Sequence, residues 1–128
     1  MSRYLLLMSI ILAIILSASH VLALEVTEAV MTTAVIDREP VDQVEAFPRQ
    51  SGKLYCFSRI IGANESTVVY HVWYRGEQVM SRVELPVNSP DWRTWSAKRF
   101  LEDWQGEWHV EIQDADGDIL REVKFQLR

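Results

Sequence analysis

Apolar and polar residues alternate with a period of two near the C-terminal end of the chain, which predicts β-strands with one buried face. Two runs carry these apolar positions: Trp108, Val110 and Ile112 in the first, and Ile119, Val123, Phe125 and Leu127 in the second. Asp116-Gly117 stands between the runs, and Asp-Gly is a preferred pair in tight hairpin turns. The two runs are therefore predicted to form an antiparallel hairpin.

Four further runs are rich in β-branched and aromatic residues and predict strands earlier in the chain. They cover residues 26–36, 53–61, 67–74 and 78–87, and an irregular connection is expected over residues 37–52. The third run is apolar on both faces except at His71, which predicts a central strand. One face of the fourth run carries Val79, Val83, Leu85 and Val87.

Six or seven short strands, each with an apolar face, have to cover one another in pairs of layers. We therefore predict one all-β domain over residues 24–128, an antiparallel immunoglobulin-like β-sandwich of about seven strands. Its predicted core comprises Trp73, Val83, Trp108, Val110, Ile112, Val123 and Phe125. The segment 91–104 is the exception and predicts a helix, because Asp91 can cap its start and Phe100 and Trp104 stand four residues apart.

The first 23 residues resemble a cleavable signal peptide, which would form an N-terminal signal helix. Arg3 precedes an apolar run of about a dozen residues, and Val21-Leu22-Ala23 fits a signal-peptidase site. The sequence therefore predicts export, to the periplasm in a bacterium. The alternative is an uncleaved anchor in the inner membrane, since residues 4–24 together could just span a bilayer core of roughly 30 Å; only then would the protein contact a membrane.

Composition narrows the classes of partner. The chain of 128 residues has a net charge of −5, which argues against nucleic acid, because phosphate contacts require a basic surface. Cys56 is the single cysteine, so an intrachain disulfide is excluded. Within a β-run it is expected to serve as a small buried apolar residue.

Several short pieces stand in an order that resembles the bacterial family called domain of unknown function 2914. They are Asp37-Arg38-Glu39-Pro40, Leu54-Tyr55-Cys56-Phe57, Tyr70-His71-Val72-Trp73-Tyr74, Trp92-Arg93-Thr94-Trp95-Ser96 and Gly106-Glu107-Trp108-His109-Val110, followed by Asp116-Gly117. The resemblance covers about residues 26–127 and is most specific in the His-x-Trp and Trp-Arg-x-Trp-Ser pieces. It implies a small bacterial domain, often found in exported or membrane-linked proteins, and it implies no activity.

Metal sites and cofactors are not predicted. Asp114, Asp116 and Asp118 have the spacing of the first three calcium-loop ligands. Such a loop needs glycine at its sixth position and glutamate at its twelfth, whereas here Gly117 is at the fourth position and Phe125 at the twelfth. A hairpin turn is therefore favoured. His71 and His109 could meet on neighbouring strands, yet zinc requires three or four ligands and no spacing supplies the rest. His71 is expected to be a hydrogen-bonded, partly buried residue, and His109 is expected to face solvent.

A catalytic motif is also missing around the serine at position 96. Ser96 lacks the Gly-x-Ser-x-Gly surroundings of a hydrolase nucleophile. A non-enzymatic protein is therefore predicted. The alternative is an envelope hydrolase whose site assembles in the fold around His71 and Ser96, with Asp91.

The segment 92–104 combines four aromatic and three basic residues within an otherwise acidic domain. Aromatic rings beside cations suit stacking on sugars or contact with an anionic polymer. The candidate binding residues are Trp92, Arg93, Trp95, Lys98 and Arg99. The predicted function is therefore a binding module for a cell-envelope protein or glycan. The alternative for this segment is structural, with the tryptophans closing an open end of the sandwich under basic side chains.

Overall fold

The computed structural model describes residues 23–128, so the predicted signal helix and the leader before Ala23 lie outside the described residues. The described part of the chain is all-β, as predicted, and contains no helix. Accordingly, residues 23–128 hold no helix long and apolar enough to cross a membrane. The strands are β1 (Glu25–Thr32), β2 (Val35–Ile36), β3 (Glu39–Pro40), β4 (Ala46–Phe47), β5 (Lys53–Ile61), β6 (Thr67–Arg75), β7 (Gln78–Val87), β8 (Asp91–Arg99), β9 (Gly106–Gln113) and β10 (Ile119–Leu127).

Two sheets and one small hairpin contain all these strands. The order is β1-β5-β8 in the three-stranded sheet and β4-β10-β9-β6-β7 in the five-stranded sheet. Neighbours pair antiparallel except β4 and β10, which are parallel, and β2 pairs with β3 as a separate hairpin. β6 lies between β9 and β7, which confirms that the run apolar on both faces is an interior strand.

The core lies between the two sheets, in a sandwich-like arrangement. One cluster joins Met31, Leu54 and Cys56 of the smaller sheet to Trp73 and Trp108 of the larger sheet, among others. A second cluster includes Val26, Ile60, Val69, Val87 and Ile112. All buried members of both clusters lie between residues 26 and 127, so a chain that begins at Leu24 keeps the whole described core.

Five of the seven predicted core residues are buried, and the other two lie at the margin. Trp73, Trp108, Val110, Ile112 and Phe125 are buried. Val83 and Val123 are partly buried and pack against the first cluster.

Two residues predicted to face the core are exposed instead, namely Val79 and Ile119. In each case the register shifts by one residue beside them, between Trp73 and Tyr74 on the partner strand of β7, and between Ile119 and Arg121 on β10. An extra residue in one strand reverses which side chains face inward beyond it. The predicted alternation is therefore wrong beyond each bulge, because the sequence pattern does not mark the extra residue.

The predicted strand 26–36 is wrong as one element. β1 ends at Thr32, and residues 35–40 form the β2–β3 hairpin, within a stretch that was partly predicted to be irregular. Its turn residues Asp37 and Arg38 have φ angles of 52° and 63°. Two successive positive φ angles are typical of a two-residue hairpin turn, although glycine or asparagine usually occupies such positions.

The predicted helix 91–104 is also wrong, because residues 91–99 form β8. β8 pairs with β5 without a shift from Asp91, opposite Ile61, to Arg99, opposite Lys53. Thr94 and Ser96 are buried while Trp95 is exposed, as strand alternation requires. Pairing along the whole of β5 overrides the local helical signal.

Candidate functional site

The five candidate binding residues all lie on β8, which is an edge strand, but on two faces of it. Arg93, Trp95 and Arg99 alternate on the outer face of the three-stranded sheet. Trp92 and Lys98 share the phase of buried Thr94 and Ser96 and therefore turn toward the interior. The structure thus brings three of the predicted residues together on one face, and their role in binding stays a prediction.

The two inward residues are partly covered. Trp92 packs against the second core cluster, and the guanidinium carbon of Arg38 lies 5.3 Å from the centre of its ring. The Nζ atom of Lys98 lies 5.4 Å from the ring of Trp104. Burial lowers the pKa of Lys98 below its ordinary value. This side chain therefore acts partly as a cover for Trp104, which agrees with the structural alternative stated above for this segment.

The β2–β3 hairpin contributes to the same region. Glu39 forms an ion pair with Arg93, with 2.6 Å between Oε1 of Glu39 and Nη1 of Arg93. Phe57 belongs to the outer face by alternation and is nevertheless fully buried, and the ion pair between Glu39 and Arg93 brings the hairpin to the same face. Arg38 and Glu39 were not among the candidate residues, because their approach to β8 depends on the path of the chain after β1 and leaves no local signal.

A shallow cleft of about 200 Å³ opens at this edge, where the two sheets meet. It is lined by Arg38, Pro86, Trp92, Arg93, Thr94 and Trp95. Indole rings and guanidinium groups in one cleft can stack on flat apolar groups and hold anionic groups. Arg93 is already paired with Glu39. The guanidinium group of Arg38, in contrast, forms no ion pair with a carboxylate among the described residues.

His71 and Ser96 do meet, inside the core. His71 Nδ1 lies 2.7 Å from Ser96 Oγ, and Nε2 lies 2.9 Å from Ser58 Oγ. The indole N–H of Trp73 donates to Ser96 Oγ over 3.1 Å, and Ser58 Oγ donates to the carbonyl of Thr94 over 3.4 Å. The hydrogen bonds are consistent with one direction of donation. Trp73 donates to Ser96, Ser96 donates to Nδ1 of His71, and the protonated Nε2 of His71 donates to Ser58.

Among the described residues, no carboxylate joins this buried network as the third member of a catalytic triad. Both imidazole nitrogens of His71 are engaged by serine hydroxyls. Asp91 ion-pairs with Arg59 instead, at 2.6 Å, and that hydrogen bond lowers the pKa of Asp91. Burial lowers the pKa of His71 to about 3, so the imidazole is neutral and a poor base at neutral pH. His71 is satisfied, as predicted, and it is fully rather than partly buried.

The other titratable groups considered from sequence lie in two separate places. His71 faces the core, whereas His109 lies on the opposite face of the sheet, partly buried and stacked on Tyr74 with ring centres 4.6 Å apart. Asp114, Asp116 and Asp118 hold carboxylate oxygens within 4.8 Å of one another. Asp114 Oδ1, however, accepts hydrogen bonds from the backbone N–H groups of Asp116 and Asp118, both at 2.9 Å. This carboxylate therefore stabilises the hairpin turn.

Cys56 behaves as predicted for a small core residue. It is fully buried in the first cluster, and burial raises the pKa of its thiol. A thiol that is both inaccessible and protonated is not a nucleophile at neutral pH.

The fold is thus that of a small all-β protein in which the edge strand β8 lies beside an aromatic and basic cleft. Residues 66–127 match the model of the family described as "Protein of unknown function (DUF2914)", which confirms the resemblance predicted from the sequence. The pieces at residues 70–74, 92–96 and 106–110 lie within the match, whereas those at 37–40 and 54–57 precede it. No curated protein matches the chain.

Proposed function

We propose that this protein is a non-catalytic binding module of the bacterial cell envelope, which recognises a protein or glycan at β8. The main support for this proposal is the cleft formed by Trp92, Arg93 and Trp95 with Arg38 of the neighbouring hairpin. Trp95 is 36 % exposed, and it stands on a strand that has a neighbour on one side only among the described residues. A site of this kind binds through ring stacking and guanidinium contacts.

We also propose that the sandwich is immunoglobulin-like. An immunoglobulin-like sandwich is supported by the packing of an antiparallel three-stranded sheet against a larger one around buried tryptophans. Sandwiches of this type host many binding functions, so the fold is compatible with a binding module. The location of Trp92, Arg93 and Trp95 indicates which surface of the sandwich would bind.

Export is the second part of the proposal, and it rests on residues 1–23. We expect signal peptidase to cut after Ala23, so that protein recovered from the periplasm or the medium begins at Leu24. N-terminal sequencing of protein recovered from the producing bacterium checks this. An intact N-terminus in the inner-membrane fraction would contradict cleavage and favour anchoring by residues 4–24.

The second candidate function, an envelope hydrolase, is favoured by one observation. Ser96 and His71 lie 2.7 Å apart, as a nucleophile and its base must. Against it, Ser58 and His71 are fully buried and Ser96 is 6 % exposed, and the described clefts do not include these residues among their linings. A hydrolase needs its nucleophile in a pocket that substrate can enter. The binding module is therefore the better-supported proposal.

Capture from envelope extract tests the binding surface. We expect immobilised residues 24–128 to retain a partner that the double variant Trp92→Ala/Arg93→Ala fails to retain. The reason is that the variant removes one ring face and one guanidinium from the cleft and disrupts the contact with Glu39. Partners are identified by mass spectrometry of protein and by composition analysis of any glycan.

A further inference from the structure

The two packed sheets have four edge strands, and three of them carry a feature that opposes pairing with another chain. β1 has a register shift between Val26 and Glu28, and β7 has one near Met80 together with Pro86. β4 is only two residues long, and β10, which β4 leaves unpaired on that side before Gln126, has a register shift between Ile119 and Arg121. Bulges, prolines and short length are the ordinary means by which natural sheets protect their edges.

β8 carries none of these three features. It is nine residues long, contains no proline, and pairs with β5 in one unbroken register. Asp91, Trp95, Ala97 and Arg99 are exposed along it. Such a strand presents a row of unpaired backbone N–H and C=O groups, which is a template for one more strand.

We propose that β8 pairs antiparallel with β8 of a second copy, around a two-fold axis at Trp95. On the outer face this register places Asp91 opposite Arg99 of the second copy, Arg93 opposite its Ala97, and the two Trp95 side chains opposite each other. Opposite charges and aromatic pairs at directly opposed positions each stabilise a strand pair. Asp91 keeps its ion pair with Arg59 on the neighbouring β5, so Arg99 of the second copy would share that carboxylate. A small residue opposite Arg93 leaves room for the β2–β3 hairpin, whose Glu39 holds that arginine.

The neighbouring two-fold registers are less favourable, and this selects the axis at Trp95. An axis at Ser96 would place Arg93 opposite Arg99, and directly opposed like charges destabilise a strand pair. An axis at Thr94 would leave Arg99 and Lys98 beyond the paired strand and remove the contact between Asp91 and Arg99. With the axis at Trp95, all nine residues of β8 take part.

The inference goes beyond the proposed function and does not rest on it. A nine-residue strand is roughly 30 Å long, and a contact confined to it buries less than the roughly 1,200 Å² of a standard stable interface. We therefore expect a reversible, concentration-dependent dimer. Because the cleft opens at the same edge, an envelope partner and a second copy would compete for it.

Cysteine cross-linking tests the register. In the proposed dimer residue 95 lies opposite itself, with a Cα separation of about 5 Å that suits a disulfide. Residue 97 lies about 14 Å from its own copy, four strand positions away. With Trp95→Cys we expect at least about tenfold more cross-linked dimer under mild oxidation than with the matched control Ala97→Cys. Cys56 is fully buried and does not contribute.

A mixture provides the second measurement. Arg93→Cys and Ala97→Cys are each expected to stay monomeric alone, whereas their equimolar mixture forms a disulfide-linked heterodimer, because residue 93 lies opposite residue 97. The mixture decides the question if Trp95→Cys fails to fold. Equal cross-linking of Trp95→Cys and Ala97→Cys, with no gain on mixing, would overturn the proposal. Loss of envelope-partner capture by Trp92→Ala/Arg93→Ala is a separate result, so the two proposals can fail independently.

Discussion

Replacing Trp108 by alanine is expected to lower the free energy of unfolding by about 3–5 kcal/mol, the usual cost of removing a large buried aromatic side chain. Trp108 is 2 % exposed, and its indole N–H donates to the carbonyl of Trp104 over 2.9 Å. Its ring also contacts Phe100 edge-on, with 5.0 Å between ring centres. The substitution therefore leaves a cavity in the first core cluster and removes the hydrogen bond to the Trp104 carbonyl. Urea denaturation of residues 24–128, followed by circular dichroism, gives the difference.

Trp95→Ala is the matched control for this experiment, because it removes the same side chain from an exposed position. We expect it to cost clearly less than Trp108→Ala. A total stability of only 5–15 kcal/mol is usual for small domains, so we expect Trp108→Ala to reduce the folded fraction at 37 °C. Equal losses for the two variants would mean that Trp108 is not a central core residue.

Acid is expected to destabilise the fold through His71, by about 2–3 kcal/mol between pH 7 and pH 4.5. Burial lowers the pKa of this imidazole to about 3, whereas an unfolded histidine titrates near 6.5. Between these two values the unfolded chain binds a proton that the folded chain does not. Stability due to this group is therefore complete above pH 6.5 and is lost as the pH falls toward 3.

His71→Gln is the control, since its amide can still bond both serine hydroxyls but does not titrate. The variant is expected to be less stable at pH 7, because the side chain between Ser58 and Ser96 changes shape. Its stability should nevertheless change less between pH 7 and pH 4.5 than that of the natural chain. Denaturation curves at several pH values measure both slopes, and parallel slopes would show that His71 is not the responsible group.

Local patterns were sufficient for the parts of the fold whose partners are near in sequence. β9 and β10 pair with each other across five intervening residues, and their alternation and the Asp-Gly pair predict both strands and the turn. The prediction of a helix over residues 91–104 is wrong because Phe100 and Trp104 have helical spacing, whereas β5, the partner strand of β8, lies some forty residues away in sequence. The Asp37-Arg38 turn was missed because neither residue is typical at positive φ.

The same distinction applies to the candidate site. Sequence composition selected Trp92, Arg93 and Trp95, and their position on an edge strand beside Arg38 needed the structure. His71 and Ser96 were named together as a possible site, but Ser58, which completes the network, carried no signal. Residues from three strands in two sheets meet there, and register between distant strands is not written in any local pattern.

Comparison of three proteins in the envelope capture experiment tests the central claim most directly. Val79→Ala/Arg82→Ala is the matched control, because it removes an exposed apolar side chain and an arginine from β7, the edge strand of the other sheet. We predict that the natural domain and this control retain the same partner, while Trp92→Ala/Arg93→Ala, folded by circular dichroism, loses it. Equal retention of every partner by all three proteins would contradict binding at β8.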